Sequence, residues 1–381
     1  MRFTTPDKPV DVAELFPELA GLARTAVRLH PRAGATTVRE SSLGGPLLWP
    51  ADEAWPVCEV DHPDPRPLTS AEGRELERRL VEAHRAVGAS PHDAALYRAY
   101  QAVEADIRRV RRVEYADDPA ARLPMVAIAQ FYARDVPELP FPEGTDVCQV
   151  LWCPTDHDPH YAPLPRVWWR DASTVTAVAT APEPDRDLSE EEYLPTPCRI
   201  APERVVEYPD WDDLPSDELR ERISAWERGQ EWRYRADLAT APGTKVGGWP
   251  DWIQSPVEPE CDRGHRMVPL LTVASGEVGA WRTWLPVETR AEVAFQKEVR
   301  FATVDGGTGH TVIERDEVFD PAGFRIFGRA VVPESVEEEL IPDYRTVPRG
   351  MDMMLGDVGN LYIFMCPHCP DRPVEVEFQC T

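Results

Sequence analysis

The sequence predicts an α+β protein, rich in β-sheet and internally duplicated, with two related sheet-containing halves and a helical insertion in the first half. Three observations lead to this prediction. Two segments that lie 203 residues apart match without a gap, and short apolar runs follow both segments in the same order. The 40 prolines among 381 residues disfavour a long helical bundle and favour short strands joined by rigid turns.

The duplication appears when residues 43–62 are aligned with residues 246–265 (246 − 43 = 203). The matched residues include Trp, Cys and His, which are scarce in this chain and therefore seldom coincide by chance. The identical pairs are Gly44 with Gly247, Gly45 with Gly248, Trp49 with Trp252, Pro56 with Pro259, Cys58 with Cys261, and His62 with His265. A repeat with so long a period indicates a duplicated domain and not a solenoid.

Strand-like runs follow each copy of the matched segment. An apolar run opens with Met-Val in both copies, at Met125–Phe131 and at Met267–Val273. A second run, at Val147–Trp152 and at Asn360–Met365, is followed directly by Cys-Pro in both copies. Continuous apolar runs of this length are typical of buried strands. The two copies are therefore expected to superpose as related sheets.

The copies differ by insertions, which divide the chain into three parts. The first repeat is predicted at 1–185, with a helical hairpin inserted at about 65–120 that is broken at Gly88–Pro91. A connector with its own helix occupies 186–240. The second repeat is predicted at 241–381, with an insertion at about 276–354.

The charge of the chain bears on its partners. There are 41 Lys and Arg residues against 67 Asp and Glu residues, a formal net charge of −26. Because a protein this acidic repels phosphate backbones, no nucleic-acid partner is expected. A basic protein partner is possible, although acidity can also serve solubility alone. The sequence does not indicate an oligomeric state.

The chain is expected to be cytoplasmic. Residues 1–10 contain no apolar segment of the kind found in signal peptides. No run of about 18 apolar residues is present, so no membrane partner is expected. In a reducing compartment, clustered members of the 8 cysteines are metal ligands more often than disulfides.

Each copy carries a Cys/His set with the spacing of metal ligands. The eight candidates are Cys58, His62, Cys153 and His157 in the first copy, and Cys261, His265, Cys366 and Cys369 in the second. Four sulfur and nitrogen ligands in a tetrahedron are what Zn²⁺ prefers in structural sites. Zinc is therefore predicted in the second repeat and is possible in the first. Because strand residues four apart lie about 13 Å from each other, each pair of ligands is expected in a turn.

Another interpretation remains open for these residues, namely that they are small buried side chains and satisfied core histidines. The Cys-x2-Cys pair of Cys366 and Cys369 is the most specific element, because such turns are common zinc half-sites. His368 is an alternative ligand beside it. The remaining cysteines have no counterpart in the other copy and are interpreted as structural; they are Cys148, Cys198 and Cys380.

Several motifs together resemble the YwqG-like family of bacterial proteins, a domain of unknown function. They are Gly44-Gly45-Pro46, Trp55-Pro56-x-Cys58, Met125–Gln130, Lys245–Gln254 and Gly356–Tyr362. The resemblance implies a duplicated α+β fold dominated by β-sheet, and it supplies no catalytic residues. Members of the family often have Cys-x2-Cys where this chain has Cys-x3-His at Cys58/His62 and Cys261/His265.

Three functions compete. The first is a non-enzymatic binding or interaction protein with structural zinc. The second is a zinc-dependent hydrolase, in which His310, Asp156 or Asp158 would act as the base beside an open metal position. The third is an immunity or antitoxin-like protein that binds a basic partner, which rests on charge alone. No catalytic residues are assigned, because no nucleophile elbow or zincin signature is present.

Overall fold

The computed structural model covers the whole chain. It describes residues 2–60, 68–89, 93–115, 123–157, 159–186, 188–302, 308–313, 324–327, 330–333 and 338–381. None of the described helices combines the length and the apolarity that crossing a membrane requires.

The described residues form strands that are mostly short, as the proline content predicts. Their bounds are β1 Arg24–Arg28, β2 Arg32–Ala33, β3 Ser42–Leu43, β4 Val126–Tyr132, β5 Val147–His157, β6 Ala162–Arg170, β7 Cys198–Arg199, β8 Glu203–Glu207, β9 Lys245–Gly247, β10 Val268–Ala274, β11 Phe295–Ala302, β12 Thr308–Ile313, β13 Phe324–Phe327, β14 Ala330–Pro333, β15 Glu338–Pro342, β16 Asn360–Met365 and β17 Val374–Gln379.

The helices are concentrated in the first insertion and in the middle of the chain. Their bounds are α1 Val12–Leu15, α2 Ala71–Ala89, α3 Ala94–Glu114, α4 Asp217–Glu227, α5 Trp281–Trp284 and α6 Val287–Arg290. Short segments of 3₁₀-helix lie at Pro17–Leu22, Ala172–Thr174, Glu191–Tyr193, Trp211–Asp213 and Tyr344–Thr346, and a π-helical turn lies at Tyr234–Ala239.

Side-chain caps begin the longer helices. The hydroxyl of Ser70 accepts the backbone N–H of Gly73 at 2.9 Å and so caps α2. The carboxylate of Asp93 caps α3; Ser90, the cap expected there, lies outside the described residues. Of the break predicted at Gly88–Pro91, the first two residues belong to α2 and the last two lie outside the described residues. In the connector, the hydroxyl of Ser216 accepts the N–H of Leu219 and begins α4. Each cap satisfies an N–H that has no partner inside its helix.

Two six-stranded antiparallel sheets form the body of the protein, and their strand orders correspond. The first sheet has the order β2-β7-β3-β4-β5-β6, and the second has the order β8-β1-β9-β10-β16-β17. The four strands from β3 to β6 therefore match β9, β10, β16 and β17, in the order in which the sequence repeats. The predicted α+β fold with two sheet-containing halves is confirmed.

The two sheets exchange strands, so the boundary predicted from the sequence does not coincide with the division between the sheets. Strand β1 belongs to the first repeat in sequence, yet it pairs with β9 in the second sheet. Strand β7 lies in the predicted connector, yet it pairs with β3 in the first sheet. The chain then crosses to the other sheet, from β1 into β2 and from β7 into β8. A cut between 185 and 240 therefore does not separate the sheets.

One hydrophobic core lies between the sheets, and both contribute to it. Its buried members include Leu43, Ile128, Val150 and Trp152 from the first sheet, and Val27, Val246, Leu271 and Ile363 from the second. Burial of this surface is the main stabilising contribution to such a fold. Because the core is shared, each half needs the other to cover its apolar face.

The second insertion, within 276–354, forms its own small elements. It contains α5 and α6, a three-stranded sheet of order β12-β11-β15, and a hairpin of β13 and β14. None of these strands pairs with the two six-stranded sheets in the part of the chain that is described. The insertion therefore leaves the order of the repeated strands unchanged.

A buried ion pair lies on the second sheet. The ammonium of Lys245 on β9 donates to the carboxylate of Glu207 on β8 at 2.6 Å, and both side chains are fully buried. Glu207 also accepts the backbone N–H groups of Ala241 and Trp249, at 2.8 and 2.7 Å. Gly248 makes room for this carboxylate, since a Cβ on Gly248 would lie 2.3 Å from a Glu207 oxygen.

The first sheet has two hydroxyls at the corresponding place. Ser42 is the 203-residue counterpart of Lys245 (245 − 203 = 42). A Cβ on Gly45, the counterpart of Gly248, would lie 2.3 Å from Thr36 Oγ1 and 2.6 Å from Ser42 Oγ. Thr36 therefore stands where the second sheet has Glu207. The first sheet therefore has a pair of hydroxyls where the second sheet has a charged pair.

This comparison leads to a stability prediction. Replacing Lys245 with Ser leaves the Glu207 charge buried and unpaired, which should cost about 3–5 kcal/mol of unfolding free energy. Adding Glu207→Thr, which restores the first-sheet combination, should recover part of that loss. Urea unfolding of both variants measures the difference. The control is Arg186→Ser, which breaks an exposed pair with Glu191 and should cost under about 1 kcal/mol of unfolding free energy. The prediction would be contradicted if the Lys245→Ser, Glu207→Thr double variant were no more stable than Lys245→Ser alone.

Candidate metal centres

The structure brings together the four candidate ligands of the second repeat, which we call centre two: Cys261, His265, Cys366 and Cys369. Cys261 and His265 lie in the connection between β9 and β10, and Cys366 and Cys369 lie in the turn between β16 and β17. Their ligand atoms all lie within 4.8 Å of one another. Residues as far apart in sequence as Cys261 and Cys369, 108 positions, thus meet at one end of the sheet.

The distances in centre two fit a tetrahedral ion. His265 Nδ1 lies 3.3 Å from Cys369 Sγ, 3.6 Å from Cys261 Sγ and 3.7 Å from Cys366 Sγ. The sulfurs of Cys261 and Cys369 lie 3.8 Å apart. A tetrahedral zinc with ordinary bond lengths would place sulfur about 3.6 Å from nitrogen and about 3.8 Å from sulfur. All four cysteine and histidine ligands therefore stand where one metal ion would require them.

The first half of centre two is a tight turn closed by backbone hydrogen bonds. The N–H of Cys261 donates to the carbonyl of His265 at 3.0 Å, and the N–H of Gly264 donates to the carbonyl of Cys261 at 2.7 Å. Gly264 has φ +73°, a left-handed conformation that glycine adopts without steric cost. The turn expected for this ligand pair is present.

The second half is the Cys-x2-Cys turn that follows β16. The N–H of Cys366 donates to the carbonyl of Pro373, and the N–H of Arg372 donates to the carbonyl of Cys369, both at 3.0 Å. His368, the alternative ligand, is exposed and packs edge-on against the His265 ring at 5.3 Å. It lies outside the group of four converging ligand atoms.

The electrostatic environment differs between the thiols of this turn. Burial opposes ionisation of Cys366, but the backbone N–H groups of His368 and Cys369 and contacts with Cys369 and His265 outweigh it and lower its pKa to about 6. Burial raises the pKa of Cys369, and the neighbouring thiols add to this effect, while Arg263 opposes it. Thiols must lose their protons to bind a metal. Metal binding at this centre would therefore release protons.

Aromatic side chains cover the inner side of centre two. Trp252, the repeat partner of Trp49, packs against Tyr362 and Phe364 with ring centroids 4.9 and 6.1 Å away. These rings form one buried cluster with the three cysteine ligands and Met267. An apolar surrounding limits water access and strengthens metal–ligand electrostatics.

The corresponding site in the first repeat, which we call centre one, contains Cys58, Cys153 and His157. Their ligand atoms also lie within 4.8 Å of one another, and all three residues are buried. The sulfur of Cys58 lies 3.3 Å from His157 Nε2. A hydrogen bond with Cys58 and burial raise the pKa of Cys153. His62, the fourth predicted ligand, lies outside the described residues.

The orientation of His157 suits metal binding. Its Nδ1 lies 2.9 Å from the carbonyl oxygen of Thr155, which can only accept, so Nδ1 carries the hydrogen. In the neutral ring, Nε2 then presents a lone pair towards Cys58. Metal-binding histidines are commonly oriented by such a bond from the second ring nitrogen.

The local structure of centre one corrects the expectation that its second ligand pair lies in a turn. Cys153 and His157 are both on strand β5, but the pairing with β6 shifts between them, so that Cys153 faces Leu164 and His157 faces Ala162. Four steps along β5 thus correspond to two along β6. Pro154 has no N–H to donate to the ladder, and a bulge shortens the distance between the two ligands.

Among the candidate residues that the structure describes, no others join either centre. Cys148 and Cys198 are buried elsewhere, and the Cys198 thiol lies 3.1 Å from the Gly350 carbonyl oxygen. Of the possible catalytic bases, Asp156 accepts a hydrogen bond from the Tyr193 hydroxyl at 2.7 Å. Asp158 and the side chain of His310 lie outside the described residues.

Sequence reasoning missed the outer partners of both centres. At centre two, Arg263 and Asp371 form an ion pair between the two halves of the site. At centre one, the Thr155 carbonyl orients His157. Arg263 and Asp371 each lie within two residues of a predicted ligand, and their opposite charges were the one available signal.

Comparison with known proteins identifies no relative, so a functional argument has to rest on the fold and the two centres. No protein-family model matches the chain, and no curated protein matches it significantly. The resemblance to the YwqG-like family therefore stays a prediction.

Centre two leads to a prediction about metal content. Cys366→Ser should remove about one equivalent of bound metal and lower the melting temperature by about 5 °C or more, because metal bound only to the folded state stabilises it. Cys198→Ser, also buried but outside both centres, is the matched control and should keep its metal. Elemental analysis and calorimetry of protein purified without chelator or added metal provide both readings. Equal metal content in the two variants would rule out Cys366 as a ligand.

Proposed function

We propose that this protein is a non-enzymatic binding protein whose repeated sheets are held by structural zinc, with a biochemical role of the kind still undefined for YwqG-like proteins. The observation that carries the proposal is the convergence of four protein ligands in centre two. A tetrahedral ion with four protein ligands has no position left for water or substrate, which is the property of structural sites.

The chemistry of the ligands supports zinc as the metal. Three thiols and one imidazole suit Zn²⁺, whereas Mg²⁺ and Ca²⁺ prefer oxygen ligands. Cys261, Cys366 and Cys369 are all buried, as thiol ligands of a structural ion usually are. Zinc in centre one is part of the same proposal, because its described ligands are two thiols and an imidazole nitrogen.

A hydrolase is the less favoured alternative. Catalytic zinc is held by three protein ligands and keeps one position for water. Centre one is the place where this would have to occur, through Cys58, Cys153 and His157. Of the two carboxylates adjacent to His157 in sequence, Asp158 lies outside the described residues. The other, Asp156, accepts a hydrogen bond from the Tyr193 hydroxyl, and this engagement favours a structural role for Asp156 over a role as general base.

The partner we propose is a basic protein, and an immunity or antitoxin-like role is one form that such binding could take. The support is the net charge of −26, which attracts cations over a distance of about a Debye length. Electrostatic attraction of this kind raises association rates and falls with added salt.

The binding role is tested by capture at two salt concentrations. Between about 0.1 M and about 1 M salt the Debye length falls from about 10 Å to about 3 Å, so a basic partner should be retained at the lower concentration and lost at the higher. Proteins retained by the immobilised chain are identified by mass spectrometry. An unrelated protein of equal negative charge serves as control. Capture of a neutral protein that resists salt would contradict the proposed partner class.

A further inference from the structure

An ion pair joins the two halves of centre two on its outer side. The guanidinium of Arg263, which lies between Cys261 and His265, reaches Asp371, which follows Cys369. Its two terminal nitrogens lie 2.7 and 3.2 Å from the two carboxylate oxygens, a bidentate arrangement. Arg263 and Asp371 keep about half of their side-chain surface exposed, at 55% and 61%. The pair therefore lies at the surface, next to three buried cysteines and the half-buried His265.

Arg263 also brings a positive charge next to the ligands, because it lies two residues from both Cys261 and His265 in the first turn and its partner Asp371 lies two residues after Cys369. Three thiolates around Zn²⁺ would carry a net charge of −1, which a neighbouring guanidinium offsets. Outer partners of this type orient metal ligands, and their loss commonly weakens metal binding by about 10-fold to 100-fold.

The first repeat has a valine at the position of this arginine. The 203-residue offset that aligns Cys261 with Cys58 places Val60 at the position of Arg263 (263 − 203 = 60). The Val60 side chain is 46% exposed and has no group that can donate to sulfur or bind a carboxylate. The two centres thus share a ligand pattern but differ at this outer position.

We propose that Arg263 is a positioning residue that holds the two halves of centre two together and slows the release of its metal. Centre one, which has Val60 at that position, exchanges its metal faster. This inference rests on the proposed zinc-binding function and adds a difference in kinetics between the two centres.

The experiment measures zinc release into an excess of a chromophoric chelator. The variant Arg263→Val introduces the residue of centre one and should speed release from centre two about tenfold. Arg263→Lys keeps the charge but not the bidentate geometry and should fall between the variant and the wild type. The matched control is Arg266→Val, because Arg266 lies in the same connection but pairs with Glu258 within that connection and not with the turn that contains Cys366 and Cys369. Its release rate should equal that of the wild type.

Two further measurements assign the release phases to the two centres and test whether the ion pair slows release. A Cys153→Ser background removes a ligand of centre one, so that the remaining release reports centre two, and the slow phase of the wild type should coincide with it. High salt should speed release from the wild type more than from Arg263→Val, since the exposed ion pair is screened.

The outcomes distinguish this inference from the function on which it rests. Zinc uptake with equal release rates in the Arg263 and Arg266 variants would overturn the positioning role alone. A wild-type protein that takes up no zinc would overturn the proposed function and the positioning role together.

Discussion

The convergence of four ligands at centre two is the constraint on which the second repeat depends. It joins the connection before β10 to the turn after β16, and so fixes both ends of the segment that contains the second insertion. Closing so long a loop costs conformational entropy, although the cost grows only slowly with length. A bound metal adds its binding free energy to folding. The long insertion at 276–354 is therefore compatible with an unchanged order of repeated strands.

Strand exchange supplies a second constraint, which acts on both repeats together. Because β1 completes the second sheet and β7 completes the first, neither half can form its sheet from its own segment. The buried pair of Lys245 and Glu207 lies next to this exchange, since it joins β9 to β8 across β1. Buried charges tolerate little misalignment. The pair therefore favours the observed pairing over alternatives in which β8 lies elsewhere.

The sequence predicted the features that leave a local or a repeated signal. The apolar runs that follow each copy of the matched segment predicted β4, β5, β10 and β16, and the spacing of Cys366 and Cys369 predicted a metal half-site. The exchange of β1 and β7 left no such signal, because strands of five and two residues show little periodicity and their partners lie far away in the chain. The bulge between Cys153 and His157 depends on pairing with β6. The bond from Arg263 to Asp371 depends on how two turns meet in space.

The identity of the ion in centre two, and the atoms that hold it, form the central claim. X-ray absorption at the zinc edge tests it most directly, with Cys153→Ser protein purified without chelator or added metal, so that centre two alone contributes. The account predicts stoichiometric zinc with three sulfur neighbours at about 2.3 Å and one nitrogen neighbour at about 2.0 Å. A protein without zinc, or a first shell made only of oxygen and nitrogen, would contradict it.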